Sequence, residues 1–320
     1  MIRLCVLGEY IIDFTYQGKD DNGLPKYTQN PGGAPANVAC AAAKLGTPAG
    51  IITKLSNDVF GRFLYSYAES LGCLDLRGVV RSNDPTGIAF ALLDETGERD
   101  FQFYRHNCAD AMLRPEDIRE DLLEECSVLH FSSVSLAAEP ARSATLHAAR
   151  IARQKGKLVS FDINYRAPLW DDPEAAGSAV AEAMTLAHIV KASEEEAELF
   201  GAPAPEDAAR LFLEQGPALV LITFGGKGSS YFTRNHSGTV PSFPVQALDT
   251  TGAGDNFMGA FLSRLIQESA APEQLPEETL RQMLRYANAA GAICASRYGA
   301  IAGQASPTDI QAFLVTETHE

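Results

Sequence analysis

Asp249-Thr250-Thr251-Gly252-Ala253-Gly254-Asp255 sets an acid at each end of a short glycine-containing turn. Gly252 and Gly254 permit backbone angles closed to side-chain residues, and they let a ligand approach the main chain. The residues that follow, Phe257, Met258, Phe261, Leu262, Leu265 and Ile266, repeat at helical spacing, so a helix is expected from Asn256 to about Gln267. A turn of this kind entering a helix aims N–H groups at one point, where the helix dipole favours an anion. Asp255 stands at the same point. A carboxylate there is a poor anion binder but a suitable base for a hydroxyl attacking a phosphoryl group. The alternative is an Asp-capped helix with no chemistry.

Other stretches could supply partners. Pro31-Gly32-Gly33-Ala34-Pro35-Ala36-Asn37 is a second close-approach loop, leading into an Ala-rich helix expected over Asn37 to Leu45. Asn37 is either a helix cap or a two-way hydrogen-bonding group for a polyol. Asp13 follows the first strand, where an Asp is usually a turn or cap residue. Arg166 closes Asp162-Ile163-Asn164-Tyr165-Arg166 at the end of a strand, the active-site edge of a parallel sheet. Its guanidinium can fork onto a phosphate or carboxylate, or pair structurally with Asp162. Glu194-Glu195-Glu196 reads as a solvated acidic face at a helix start. Gly225-Gly226-Lys227-Gly228-Ser229 is no Walker loop: the required order is absent, and Tyr231-Phe232-Thr233 continues as a strand.

The elements that must hold these groups alternate as strand and helix. Strands are expected at Arg3 to Leu7, Val128 to Ser132, Leu158 to Ile163 and Leu219 to Thr223, with a short extended segment from Phe243 to Leu248. Helices are expected at Phe63 to Leu71, Ala137 to Lys155 and Arg281 to Ser296. Residues 15–30 are polar and irregular. Thr86 to Leu93 and Arg99 to Arg105 form a hairpin about Asp94-Glu95-Thr96-Gly97, outside the β–α rhythm, and therefore a candidate lid.

The two glycine strings together resemble the signatures of the ribokinase-like (PfkB) carbohydrate kinases, in the form that fructokinases carry. The resemblance runs from Gly8 to Gly299. It implies a three-layer α/β/α fold with a mostly parallel central sheet, one domain over 1–320, and a small β lid from about 15–30 and 84–105. It implies ATP-dependent transfer to a primary hydroxyl, with fructose the first expectation. A 2-keto-3-deoxygluconate kinase, a ribokinase or nucleoside kinase, and a non-catalytic sugar-binding regulator are the alternatives. The implied catalytic group is Asp255 with Gly252, Ala253 and Gly254. Implied sugar contacts are Asp13, Gly32, Gly33, Asn37, Phe101, Arg105 and Arg166; Arg105 has an exposed salt bridge as its rival reading, and Phe101 and Phe103 either cover the sugar or pack the lid. Nucleotide contacts fall on Lys191, Ser193, Thr223, Gly225, Gly228 and Asn288. Glu196 matches the Glu of an Asn-x-x-Glu motif that positions Mg²⁺ through water, with Ser193 in place of the Asn. Asp249 and Thr251 fall where members hold a monovalent cation such as K⁺. Ser56 departs from the family, which usually has Gly there.

Composition agrees. A net charge of −15 disfavours nucleic acid and anionic membranes as partners. Six scattered cysteines without metal spacing suit a reduced, cytoplasmic protein. No apolar run approaches a membrane span, and a chain opening on a strand suggests no signal peptide. A lid hairpin makes a homodimer plausible.

Overall fold

The computed structural model describes residues 3–93, 99–268 and 270–316. The lid turn Asp94-Glu95-Thr96-Gly97 and the side chain of Phe101 lie outside the described residues.

Strands β1 (Leu4–Leu7), β2 (Ile11–Lys19), β3 (Pro25–Gly32), β4 (Ala49–Ser56), β5 (Leu74–Ser82), β6 (Ile88–Leu93) and β7 (Arg99–Tyr104) fill the first third of the chain. They are followed by β8 (Val128–Ser132), β9 (Leu158–Asp162), β10 (Ile189–Ser193), β11 (Leu219–Thr223), β12 (Gly228–Phe232) and β13 (Ser237–Pro241). Among the described residues they make two sheets. The large one runs β13-β12-β11-β10-β9-β8-β1-β4-β5, parallel from β11 to β5, with β12 and β13 antiparallel at one edge. The small one runs β3-β2-β6-β7.

Parallel strands buried on both faces need near-continuous apolar sequence, and β1, β8 and β11 have it. Successive residues then serve opposite cores. Leu4 and Val6 pack with α1 (Ala34–Lys44) and α2 (Val59–Leu71), and with α8 (Ala253–Glu268), α9 (Glu277–Ala295) and α10 (Pro307–Thr316) beyond them. Cys5 and Leu7 pack with α3 (Glu120–Glu125), α4 (Ala141–Gln154), α5 (Pro173–Leu186), α6 (Glu194–Phe200) and α7 (Pro205–Glu214). The expected three layers are present.

Local expectations needed some correction. Residues 15–30 are not irregular: β2 and β3 pair there as an antiparallel hairpin, and β2 joins β6 in parallel. Their polar residues lie on a sheet with one half-open face, so the alternation carries little hydrophobic signal. Phe243 to Leu248, expected as a short extended segment, joins no sheet among the described residues; the N–H groups of Leu248 and Asp249 reach the Ala295 carbonyl at the end of α9. Helix α1 begins at Ala34, not Asn37, because Pro35 suits the first turn and Gly33 supplies the cap at φ 110°. A Cβ at Gly33 would stand 2.4 Å from the Glu9 carbonyl oxygen, so only glycine fits.

Candidate active site

The C-terminal ends of β1, β9, β10 and β11, the N-termini of α1 and α8, and the inner face of the small sheet enclose a cleft of ≈ 940 Å³. One end is lined by Glu9, Asp13, Asn37, Phe103, Arg105 and Arg166; the other by Thr223, Gly225, Gly228, Val245 and Asn288. Lys191 and Gly252 to Asp255 lie along the same wall.

Gly252 turns the chain into α8 at φ 76°, and a Cβ there would meet the Ala300 Cβ at 2.5 Å. The Ala253 N–H closes this turn onto the Thr250 carbonyl at 3.2 Å. Ala253 therefore shapes the turn and offers no donor to the cleft. Among the described residues, no backbone carbonyl accepts from the Gly254 or Asp255 N–H. These two are the donors left for an anion.

Asp255 does not act as the cap of its own helix. Its Oδ2 accepts from Asn37 Nδ2 at 2.8 Å, across 218 residues of sequence. Burial raises the Asp255 carboxyl above its usual range, while Asn37, Lys191 and Arg166 favour its charged form. The carboxyl is thus desolvated, with neighbours that still favour its ionised form. Asn37 Oδ1 is buried without a protein partner, so the amide keeps an acceptor for a ligand hydroxyl. Asp13 is raised to about 7, by burial first and then by Asp255, with Arg166 opposing.

Lys191 Nζ donates to Asp162 Oδ1 at 3.2 Å and stands 3.1 Å from Oδ2. Arg166 is thus not the partner of Asp162. Its Nη1 donates to the Tyr165 carbonyl at 2.9 Å, and its guanidinium lines the cleft in the field of Asp13 and Asp255. Arg105 is not an exposed ion pair: its side chain is 7% exposed and binds Asp110 through Nε and Nη2.

Of the three consecutive acids, only Glu196 turns inward. Its Oε1 accepts the Tyr165 N–H at 2.7 Å and its Oε2 the Ser193 N–H at 2.8 Å, while Ser193 Oγ caps α6 by accepting the Glu196 N–H. Each carboxylate oxygen keeps a further lone pair. Among the described residues, no three His, Cys, Asp or Glu side chains form a group able to hold a metal.

A model of the pfkB family carbohydrate kinases matches residues 1–308. The chain belongs to this family. Fructokinase-1 of Oryza sativa subsp. japonica is 40% identical to the kinase over 315 residues, 97% of this chain and 96% of its relative. Probable fructokinase-3 of Arabidopsis thaliana is 40% identical over 309 residues, 95% and 88% of the two chains. The structure of fructokinase with bound ATP from Xylella fastidiosa superimposes with a TM-score of 0.92 at 32% identity, covering 100% of both chains. Fructokinase from Vibrio cholerae in a fructose, ADP and calcium ion bound form gives 0.88 at 32%, covering 98% and 99%.

The remaining expected residues of the kinase lie as follows. Gly32 lies against Asp13, and Thr223, Gly225 and Gly228 line the end of the cleft away from Asp13. Asn288 lines that end too, but its amide is committed: it accepts from Ser229 Oγ and donates to the Val240 and Pro241 carbonyls, bracing the β12–β13 hairpin against α9. Asp249 joins two loops, accepting from the Thr251 N–H at 2.9 Å and the Gly299 N–H at 3.0 Å. Three residues were not singled out in the sequence: Glu9, buried at the end of β1; Asp110, which holds Arg105; and Asn164, at φ 39° on the cleft wall. For Glu9 and Asn164 a signal existed, a polar residue just past the end of a parallel strand.

Proposed function

We propose that the kinase is an ATP-dependent fructokinase, transferring the γ-phosphoryl group of ATP to the 6-hydroxyl of D-fructose. The observation that carries this reading is the near-full-length likeness to fructokinases, in sequence and in structure.

The cleft supports a mechanism on this chain's own residues. Fructose sits under the small sheet, with Asp13 and Asn37 binding hydroxyls and Gly32 and Gly33 allowing close approach. Asp255 accepts the proton of the attacking hydroxyl, and the Asn37 N–H keeps its carboxylate aimed. The Gly254 and Asp255 N–H groups, with Arg166 and Lys191, stabilise the charge on the transferring group. ATP lies along Thr223, Gly225 and Gly228, beside the brace formed by Asn288. Glu196 would hold Mg²⁺ through water beside the phosphates, where the ion would supply neutralisation of developing charge. Asp249 and Thr251 fix the loops that would ring a monovalent cation. The small sheet carries an outer aromatic cluster of Phe14, Tyr16, Tyr27, Phe90 and Tyr104, with Tyr104 61% exposed, and this face supports a homodimer. Six free cysteines suit the cytoplasm.

The test is ADP release with Mg-ATP and KCl against D-fructose, D-ribose, 2-keto-3-deoxygluconate and adenosine. Dominant turnover on fructose is expected. Turnover confined to another acceptor overturns the assignment, and sugar binding without ADP release points to a regulator.

A further inference from the structure

The sugar end of the cleft contains two guanidinium groups, yet one carries no net charge toward the ligand. Arg105 directly follows β7 and lines the cleft. Behind it, Asp110 Oδ2 binds Nε and Nη2, and Asp110 Oδ1 accepts from Cys108 Sγ at 3.0 Å. The Asp110 side chain is 2% exposed. Gly87 makes room for it: a Cβ there would lie 2.9 Å from Asp110 Oδ1 and 3.3 Å from Cys108 Sγ. Glu9 flanks the same arginine from the end of β1 and also lines the cleft. Its Oε1 accepts the Ala34 N–H at 3.0 Å, and its Oε2 is buried with no protein partner. The local sum is one cation against two carboxylates.

A carboxylate-bearing acceptor needs a free cation near its acid group, because a buried unpaired charge is costly. Arg105 is already neutralised by Asp110, which holds its Nε and Nη2, and the other guanidinium, Arg166, stands in the field of Asp13 and Asp255. Glu9 adds repulsion on the open side, and its unpartnered oxygen suits a ligand hydroxyl as donor. Specificity arises as much from such repulsion as from attraction.

We propose that Asp110 and Glu9 form a charge filter that cancels Arg105 and makes the kinase reject sugar acids in favour of uncharged ketoses. The proposal rests on the fructokinase reading. Asp110 acts through Arg105 and is a positioning residue; Glu9 faces the ligand directly.

The experiment compares kcat/KM for D-fructose and 2-keto-3-deoxygluconate in the wild type, Asp110→Asn and Glu9→Gln. It is run at pH 8, above the value of about 7 to which burial pushes Glu9, so that its charge is present. Taking the ratio of the two acceptors cancels any general loosening of the site. The acid-to-fructose ratio should rise about tenfold or more in each variant, equivalent to ~1.4 kcal/mol, mainly through the KM for the acid. A ratio that stays at the wild-type value, or acid turnover that stays below detection in both variants, overturns the filter. If Asp110→Asn does not fold, Glu9→Gln decides by the same two outcomes. A wild type silent on fructose would sink the fructokinase reading instead, so the two failures are distinguishable.

Discussion

Replacing Gly32 with alanine should disable the sugar anchor without disturbing the fold. Gly32 pairs with Ile11 across the β2–β3 hairpin at an ordinary backbone conformation, so alanine is compatible with the chain path. The obstacle is Asp13. A Cβ on Gly32 would lie 1.8 Å from Asp13 Oδ2 and 2.3 Å from its Cγ. To regain an ordinary contact of about 3.5 Å, the carboxylate must withdraw by more than about 1 Å. A displacement of that size in a positioning group costs on the order of 10²-fold, or ~2.7 kcal/mol of transition-state binding. The expected result is a kcat/KM for fructose lowered about 10²-fold, with the KM for ATP unchanged, because other elements build the nucleotide end. Asp13→Ala should lose a similar amount. Gly32→Ala added to Asp13→Ala should lose little more, since the group it displaces is already gone. Coupled-enzyme kinetics on the four proteins make the cycle, with thermal melts to show that each is folded. A Gly32→Ala enzyme within about threefold of wild type, or costs that simply add, would refute the reasoning that Asp13 grips the sugar from this position.

Asp255→Asn should keep sugar binding and lower kcat by ~10²–10⁴-fold, the range for a lost general base; near-full turnover in the folded variant would remove Asp255 from that role. Lys191→Met leaves the buried Asp162 carboxylate without its cation and should destabilise the fold by about 3–5 kcal/mol, read as a fall in the denaturation midpoint; an unchanged midpoint argues that Asp162 is protonated in the native state. Acidity should act in opposite directions on activity and stability. Activity should fall at a pH above the ordinary carboxylate range, because burial raises Asp255 and the base must be ionised. For stability, Glu9 and Asp13 are raised to about 7 from 4.5 and 3.8, so the folded chain binds protons more tightly than the unfolded one. Their contribution is present below about pH 4 and is lost as pH rises through about 7. The ligand-free protein should therefore melt higher at pH 6 than at pH 8, and the reverse order would show that neither group is raised. Replacing KCl with tetramethylammonium chloride should lower turnover if the Asp249 loop needs a cation; equal rates would show that it does not.

The parts of this fold legible in the sequence were those whose signal is local. Strands β1 and β11 are near-continuous apolar runs, and both glycine strings stand where the main chain must turn tightly or meet another atom closely. The β2–β3 hairpin was not legible in its own residues, and only the family resemblance put β structure there, because its residues alternate with polar groups on both faces and its burial comes from pairing with β6, far along the chain. Glu196 illustrates another limit. A run of three acids gives no hint of which one faces inward; that is decided by the Ser193 cap and by the Tyr165 N–H, supplied from a different strand end. Arg105 was visible, but Asp110 was not, because nothing in the sequence distinguishes a buried acid in a short turn from a solvated one.

The bond from Asn37 to Asp255 also has a consequence in time. The half of the cleft proposed to bind the sugar leaves the ribosome first, and the proposed base is made 218 residues later. At ~5–20 residues per second, roughly 10–45 s separate the two. Strand β1 waits as well, since one of its two neighbours, β8, begins only at Val128. During that interval the nascent chain holds the glycine-rich entry to α1 but no base beside it. If Asp255 is the base proposed above, the chain has no means of moving phosphate to water or to a passing sugar until nearly the whole polypeptide exists.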